Sequence, residues 1–290
     1  MPYQRGFIKY FVLAALLLLL APAAAPAAQG DAKALNGLEL DVLAGLRVDQ
    51  FDWNIAGNLN GTSPNVLSEL TWSDLEILEL KVRARKTISR LYLRGSLGYG
   101  FIFDGANQDS DYDGDDRTLE FSRSNNNAGD GSVWDISLGA GYAGWALPAG
   151  QGRLRVIPML GYSLHKQNLT ITDGFQTVCT PPRCAGPTGP FGGLDSSYNA
   201  LWMGPWAGVD IDYGAGKLKV FGSFELHAAS YSATADWNLR SDFKHPKSFE
   251  HTADGYGIVL ALGADYELAP EFSVKAGVER QDWRASDGTD

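Results

Sequence analysis

Alternation of apolar and polar residues is the dominant pattern in this chain. Leu38, Leu40, Val42, Ala44, Leu46 and Val48 alternate with Glu39, Asp41, Leu43, Gly45, Arg47 and Asp49. A period of two predicts a β-strand with one apolar and one largely polar face. The period returns at Leu78, Leu80, Val82 and Ala84 against Glu79, Lys81, Arg83 and Arg85. Leu91, Leu93, Leu97, Tyr99 and Phe101 share a third face, opposite Tyr92, Arg94 and Ser96, and Trp134, Ile136, Leu138, Ala140 and Tyr142 a fourth, opposite Asp135 and Ser137. Further runs cover roughly 153–172, 197–213, 217–232, 253–268 and 271–284.

Connections alternate in length. Short turns fall near Lys86–Arg90, Leu147–Arg153, Tyr213–Lys217 and Glu267–Glu271, and long polar loops at 53–67, 104–131, 173–196 and 233–252. Short turns at one end and long loops at the other mark an outer-membrane barrel. The expected fold class is all-β, a transmembrane antiparallel up-and-down β-barrel. Bacterial single-chain barrels have an even strand number. Ten strands are therefore expected, of which about nine are present, with the C-terminal strand placed beyond Asp290. Inward charges such as Arg47, Arg83, Arg94 and Glu225 should pair across so narrow a barrel, which argues against an open pore. The competing reading is a soluble periplasmic β-sandwich or lipocalin-like barrel. Strands of ten or more residues and aromatics near their ends favour the membrane.

The N-terminus carries Arg5 and Lys9, an apolar run from Phe11 to Ala21 and then small residues around Ala24 to Ala28. Residues 1–28 are expected to be a secretory signal peptide and 29–290 the barrel domain. Removal of that segment takes two cations and no acid from a chain of net charge −10. An exported chain this acidic is a poor partner for nucleic acid and a better one for cationic peptides or metal ions. The two cysteines, Cys179 and Cys184, flank Thr-Pro-Pro-Arg. A disulfide is expected, because an oxidising compartment favours it and zinc needs more ligands than are present.

Candidate chemistry concentrates in Asp109-Ser110-Asp111-Tyr112-Asp113-Gly114-Asp115-Asp116. Carboxylates this close must stay solvated, share protons or hold a cation. Asp109, Asp111, Asp113 and Glu120, with Gly114 at the sixth position, match the twelve-residue calcium-loop pattern. Calcium is thus one expectation for this stretch; a solvated acidic loop is another.

Four stretches resemble the omptin family of outer-membrane proteases. Ser68-Glu69-Leu70-Thr71-Trp72 is similar to the family's entry into its second strand, and Asp109-x-Asp111 followed by Tyr112 resembles its first catalytic pair. Ser122-Arg123 lies where the family has Ser-Arg, and Gly222 to Asp236 resembles the strand leading to the second catalytic pair. The resemblance implies catalytic residues at Asp109, Asp111, Asp236 and Asn238, with Asn238 standing where the family has histidine. The implied reaction is attack of an activated water on a peptide bond beside a basic residue, with no cofactor required. An amide cannot accept the proton that imidazole accepts near neutrality. His227, His245 and His251 are the candidate substitutes. The resemblance also implies a lipopolysaccharide contact at Tyr162 and Lys166, with Leu164 in place of the family's acid.

The expected function is an omptin-like endopeptidase cleaving near basic residues. The alternatives are a non-catalytic omptin-like barrel whose acidic loop binds calcium or cationic peptides, and a structural barrel without family chemistry. The expected setting is the bacterial outer membrane, with long loops extracellular. Partners would be membrane lipid, lipopolysaccharide and a cationic peptide or protein, and a monomer is expected.

Overall fold

The face that each strand turns outward decides the architecture. In a computed structural model, which describes residues 3–11, 38–270 and 272–289, the apolar faces point away from the molecule. Leu38 is 66 % exposed, Leu138 64 % and Phe101 58 %. The polar faces point inward, where Arg47, Asp49, Glu79 and Asp135 are buried. That is the inverse of a water-soluble sheet, and an apolar belt of this kind matches a lipid surface.

Among the described residues the sheet contains thirteen antiparallel-paired strands. They are β1 (Tyr3–Phe11), β2 (Leu38–Ile55), β3 (Ser68–Ile88), β4 (Leu91–Gly114), β5 (Thr118–Asn127), β6 (Gly131–Tyr142), β7 (Trp145–Ala149), β8 (Gly152–Cys179), β9 (Gly189–Pro190), β10 (Asp195–Ala215), β11 (Leu218–Asp236), β12 (Phe249–Ala269) and β13 (Phe272–Thr289). The staves β1, β2, β3, β4, β6, β8, β10, β11, β12 and β13 follow one another round a closed ring, because β10 pairs β8 and β6 pairs β4. Closure leaves no sheet edge in the apolar belt, where an unpaired backbone group would be costly. The barrel is thus the one expected. The place left for a strand beyond Asp290 is held by the backbone of β1, which pairs β13 from Tyr3↔Ser286 to Lys9↔Arg280 and β2 from Ile8↔Asp49 to Phe11↔Leu46. The rest of the expected signal segment lies outside the described residues.

Two expected loops are strand over much of their length. β4 runs on to Gly114, turns through a 3-10 segment at Asp115–Arg117 and returns as β5, and β8 continues to Cys179. The 104–131 stretch is therefore largely a β-hairpin standing above the belt. Cross-strand hydrogen bonds hold these polar residues, which carry no apolar alternation for a sequence reading to detect. Cys179 and Cys184 are disulfide-bonded.

Inside the belt the lumen is filled. Arg47 is only 2 % exposed and donates to Asp49 at 2.6 Å and to Asp135 at 2.6 Å. Gln167 adds a hydrogen bond to Asp49, and His165 bonds Asp135. Arg94 reaches Asp210 at 2.7 Å and Glu225 at 2.5 Å, and Arg83 lies 3.5 Å from Glu279. The inward charges thus pair across the barrel as expected. His227 is buried among them, bonded to Glu225 and Ser163. Below, the Trp206 indole plugs the lumen against Gly161, where a Cβ would lie 2.3 Å from the ring.

Arg47 joins carboxylates from three staves, so its removal leaves buried anions uncompensated. Arg47→Met should lower the unfolding free energy by about 3–5 kcal/mol, read as an earlier urea midpoint in detergent. An unchanged midpoint would mean the network does not hold the barrel.

Candidate functional site

The residues above the belt face inward because two strands change parity. On β4 the outward apolar run ends at Phe103, and simple alternation would carry Asp109 and Asp111 to the same outward face as Tyr99 and Phe101. Instead the β3–β4 register shifts between Ser73 and Glu76 and again between Glu76 and Ile77. The β2–β3 register shifts at the same level, between Asp49 and Phe51, and Asp74 within the irregularity has a φ of 51°. An inserted residue exchanges the two faces of a strand. Leu70 and Trp72 on β3, with Asp109 and Asp111 on β4, therefore turn inward.

They meet a cavity of about 850 Å³ at the long-loop end of the barrel. Its floor is aromatic. Trp53 packs edge-on against His251 with ring centroids 4.7 Å apart, and Phe249 packs edge-on against both Trp53 and Trp237. Beneath, His251 Nδ1 and the Tyr198 hydroxyl share a 2.8 Å hydrogen bond, and Tyr198 meets Tyr231 at 2.6 Å. One wall carries Asp109 and Asp111, and the cavity is also lined by Arg240 and Arg183.

The two carboxylates do not ionise independently. Desolvation first and the neighbouring charge of Asp111 second, against the pull of the Arg240 guanidinium, push Asp109 up to about 8. Asp111 is also raised by desolvation, against hydrogen bonds from Ser68 and Ser122 and the pull of Arg240. Both serines stand directly across from Asp111, on β3 and β5. Near neutrality the pair holds a proton, and the second charge comes at a cost that a nearby cation would offset.

The other sequence-predicted residues part company here. Asp236 accepts a 2.6 Å hydrogen bond from His245 Nδ1, and that imidazole is held above its ordinary pKa by the carboxylate. This pair is outside the cavity lining. On β11, Ala229, Tyr231, Ala233 and Ala235 face inward, so Asp236 falls on the outward face. Asn238 acts as a brace: its Oδ1 accepts from the Asp195 amide at 2.9 Å and from Ser196, and its Nδ2 donates to the Gly193 carbonyl at 2.6 Å. The expected quartet Asp109, Asp111, Asp236 and Asn238 is therefore not brought together.

The residues of the calcium-loop pattern are likewise spread out. Along a strand, alternate residues are about 6.5 Å apart, so Asp109, Asp111 and Asp113 do not wrap round one ion. Asp113 pairs Arg183 at 3.0 Å and Glu120 pairs Arg123 at 2.6 Å. Among the described residues no group of three or more acidic, histidine or cysteine side chains could hold a metal ion. Tyr162 and Lys166 lie outward on the same face of β8, Tyr162 well exposed.

Sequence reasoning missed Arg240 and Trp53. Arg240 sits in a loop bonded to Asp242 at 2.7 Å and stacked over Phe243, and nothing in its neighbourhood along the chain signals the acidic pair opposite. Trp53 continues the inward parity of Arg47 and Asp49, and that continuity was the available signal.

Comparison with known proteins places this geometry. A family profile described as Pom, Protochlamydia outer membrane protein, matches residues 41–290. The chain belongs to that family. It is an outer-membrane protein, and the apolar belt is its lipid-facing surface. The crystal structure of the outer membrane protease OmpT from Escherichia coli superposes with a TM-score of 0.58 at 11 % sequence identity, over 98 % of this chain and 94 % of that one. That likeness is one of fold and agrees with the barrel expected from the omptin resemblance. Among curated proteins none matches the chain by sequence.

Arg240 is the cation nearest in effect to the acidic pair. Arg240→Gln should move the pair's titration above about 8, followed by carboxyl carbon NMR shifts against pH. A titration that stays in place would remove Arg240 from the site.

Proposed function

We propose that this barrel is a non-catalytic binder of cationic peptides, with its long loops outside the cell. A basic side chain enters the cavity, places its charge between Asp109 and Asp111 and lays its stem along Trp53 and Phe249. The observation that carries this reading is the acidic pair lining a cavity with an aromatic floor. Aromatic faces attract a cation, and more strongly once it is desolvated. Arg240 acts as the resident cation that a ligand displaces. Tyr162 and Lys166 contribute to the lipid-facing surface, where a lysine and a phenol suit the headgroup level.

The peptidase reading needs a base beside the pair. Asp236 and His245 form the sort of dyad that could supply one, but they stand outside the cavity that Asp109 and Asp111 line. His251, the imidazole in the cavity lining, is held in the floor by its Nδ1 bond to the Tyr198 hydroxyl and its edge-on contact with Trp53, and we read this arrangement as favouring binding over cleavage.

The pH dependence has a fixed sign. A proton held by the pair must leave before the pair carries both charges, so affinity for a basic peptide should rise as pH climbs through about 8. The ligand-free fold should lose stability over the same rise, since its folded carboxyl titrates above its unfolded one. The test is fluorescence anisotropy of a dibasic peptide on the refolded barrel, with the peptide recovered for mass analysis. Saturable binding, weakened about tenfold or more in Asp109→Asn, with the peptide intact, is the expected result. Cleavage abolished by Asp109→Ala would replace this reading with the endopeptidase one.

A further inference from the structure

A second cavity, of about 640 Å³, opens at the short-turn end of the barrel. Its lining is charged, and the charges do not balance. Three acids line it, and each is already met by a cation: Glu39 by Arg85 at 3.0 Å, Asp212 by Arg155 at 2.5 Å and Asp265 by Lys275 at 3.6 Å. Beyond Arg85 and Arg155, the lining includes Arg90, Arg153 and Lys219. None of these three has an acidic partner among the described residues. The Arg90 guanidinium donates to the Tyr142 hydroxyl at 3.2 Å and leaves its other donors open.

The three cations come from separate parts of the sequence. Arg90 ends the β3–β4 turn, Arg153 begins β8 and Lys219 begins β11. Only closure of the ring brings them to one cavity. An excess of positive charge is unexpected in a chain of net charge −10, where most cations inside the barrel are spent on neighbouring carboxylates. Cations gathered at one cavity without acidic partners leave their donors available to an anionic ligand. Two planar guanidinium forks and an ammonium suit an oxyanion with several acceptor oxygens, which phosphate supplies and a single carboxylate does not. The volume falls within the range of pockets that hold small ligands.

We infer that this cavity is a phosphate-binding site formed by Arg90, Arg153 and Lys219. The phosphate is either that of a small soluble ester or that of a lipid headgroup reaching in from the adjoining leaflet. The chemistry of recognition is the same in both cases: charge-assisted hydrogen bonds from side chains that meet no acid among the described residues. The site is independent of the acidic cavity at the other end.

Titration calorimetry of the full chain in detergent with inorganic phosphate and glycerol 3-phosphate tests the soluble source. Nanodiscs of phosphatidylglycerol or phosphatidylcholine test the lipid source, read as the temperature at which the folded gel band is lost. Arg153→Gln and Lys219→Gln should each weaken binding of the ester about tenfold, and binding should fall with added salt. Lys217→Gln, beside the cavity but not in its lining, should bind as the native chain does. Phosphatidylglycerol raising the transition temperature over phosphatidylcholine, with the gain lost in the Arg153→Gln/Lys219→Gln variant, would assign the phosphate to lipid. If native and double-variant proteins behave alike in both arms, the inference is wrong. The exposed positions of Arg153 and Lys219 keep both substitutions compatible with folding, and an intact heat-shifted band checks it.

Discussion

An inward charge in a narrow barrel has no water to fall back on, so it must find its partner on another stave. Arg47 shows what this demands. Its guanidinium is held by Asp49 on its own strand and by Asp135 on β6, with Glu79 on β3 3.5 Å away. Lys81 then links Glu79 to Glu279 on β13. Burial of such groups is expensive unless every one is matched, so the network admits one register and one order of staves. The outward apolar belt, which any lipid-facing strand could supply, carries no such specificity. The lumen therefore fixes which barrel forms, and the belt fixes where it sits.

The same rule explains the asymmetry between the two ends. Above the network, the lumen changes from charge pairs to aromatic rings: Trp72, Tyr198, Trp202 and Trp283 are all nearly inaccessible. This layer separates the acidic cavity from the ionic network below. Asp109 and Asp111 consequently see little of Arg47 or Lys81, and their repulsion is relieved locally, by Arg240 for both and by Ser68, Ser122 and Arg183 for Asp111. At the opposite end Trp206 and the Arg94 group close the lumen, and Arg94 sits 5.0 Å above the indole. Each cavity thus has its own electrostatics.

Much of this was legible in the sequence. Strand positions, the outward sense of the apolar faces, the charge pairing of Arg47, Arg83, Arg94 and Glu225, and the Cys179–Cys184 bond all follow from local pattern. The extension of β4 and β5 above the membrane was not legible, because polar strands in water alternate in nothing that hydropathy records. Nor was the cavity itself. A period-two reading has no means of seeing an inserted residue, and the irregularity near Asp74 reverses every side chain beyond it. Asp109 and Asp111 were singled out by residue type, while the face they occupy depended on the irregular β3–β4 register.

The second pair of the resemblance lies outside the cavity for the converse reason. Sequence offset from Gly222 puts Asp236 and Asn238 at the resemblance's positions, but offset alone does not set direction. For the two residues to join Asp109 and Asp111, β11 would need its own change of parity, as β3 and β4 have. Its pairing with β12 runs from Leu218↔Tyr266 to Ala235↔Phe249 without a shift, and its pairing with β10 keeps step to Ser197↔Asp236. The odd-numbered residues stay inward throughout, and the side chain that continues their face into the cavity is Trp237. An indole there adds to the aromatic floor and offers no base. A regular β11, against the irregular β3 and β4, thus leaves Asp236 and Asn238 out of the cavity that Asp109 and Asp111 line.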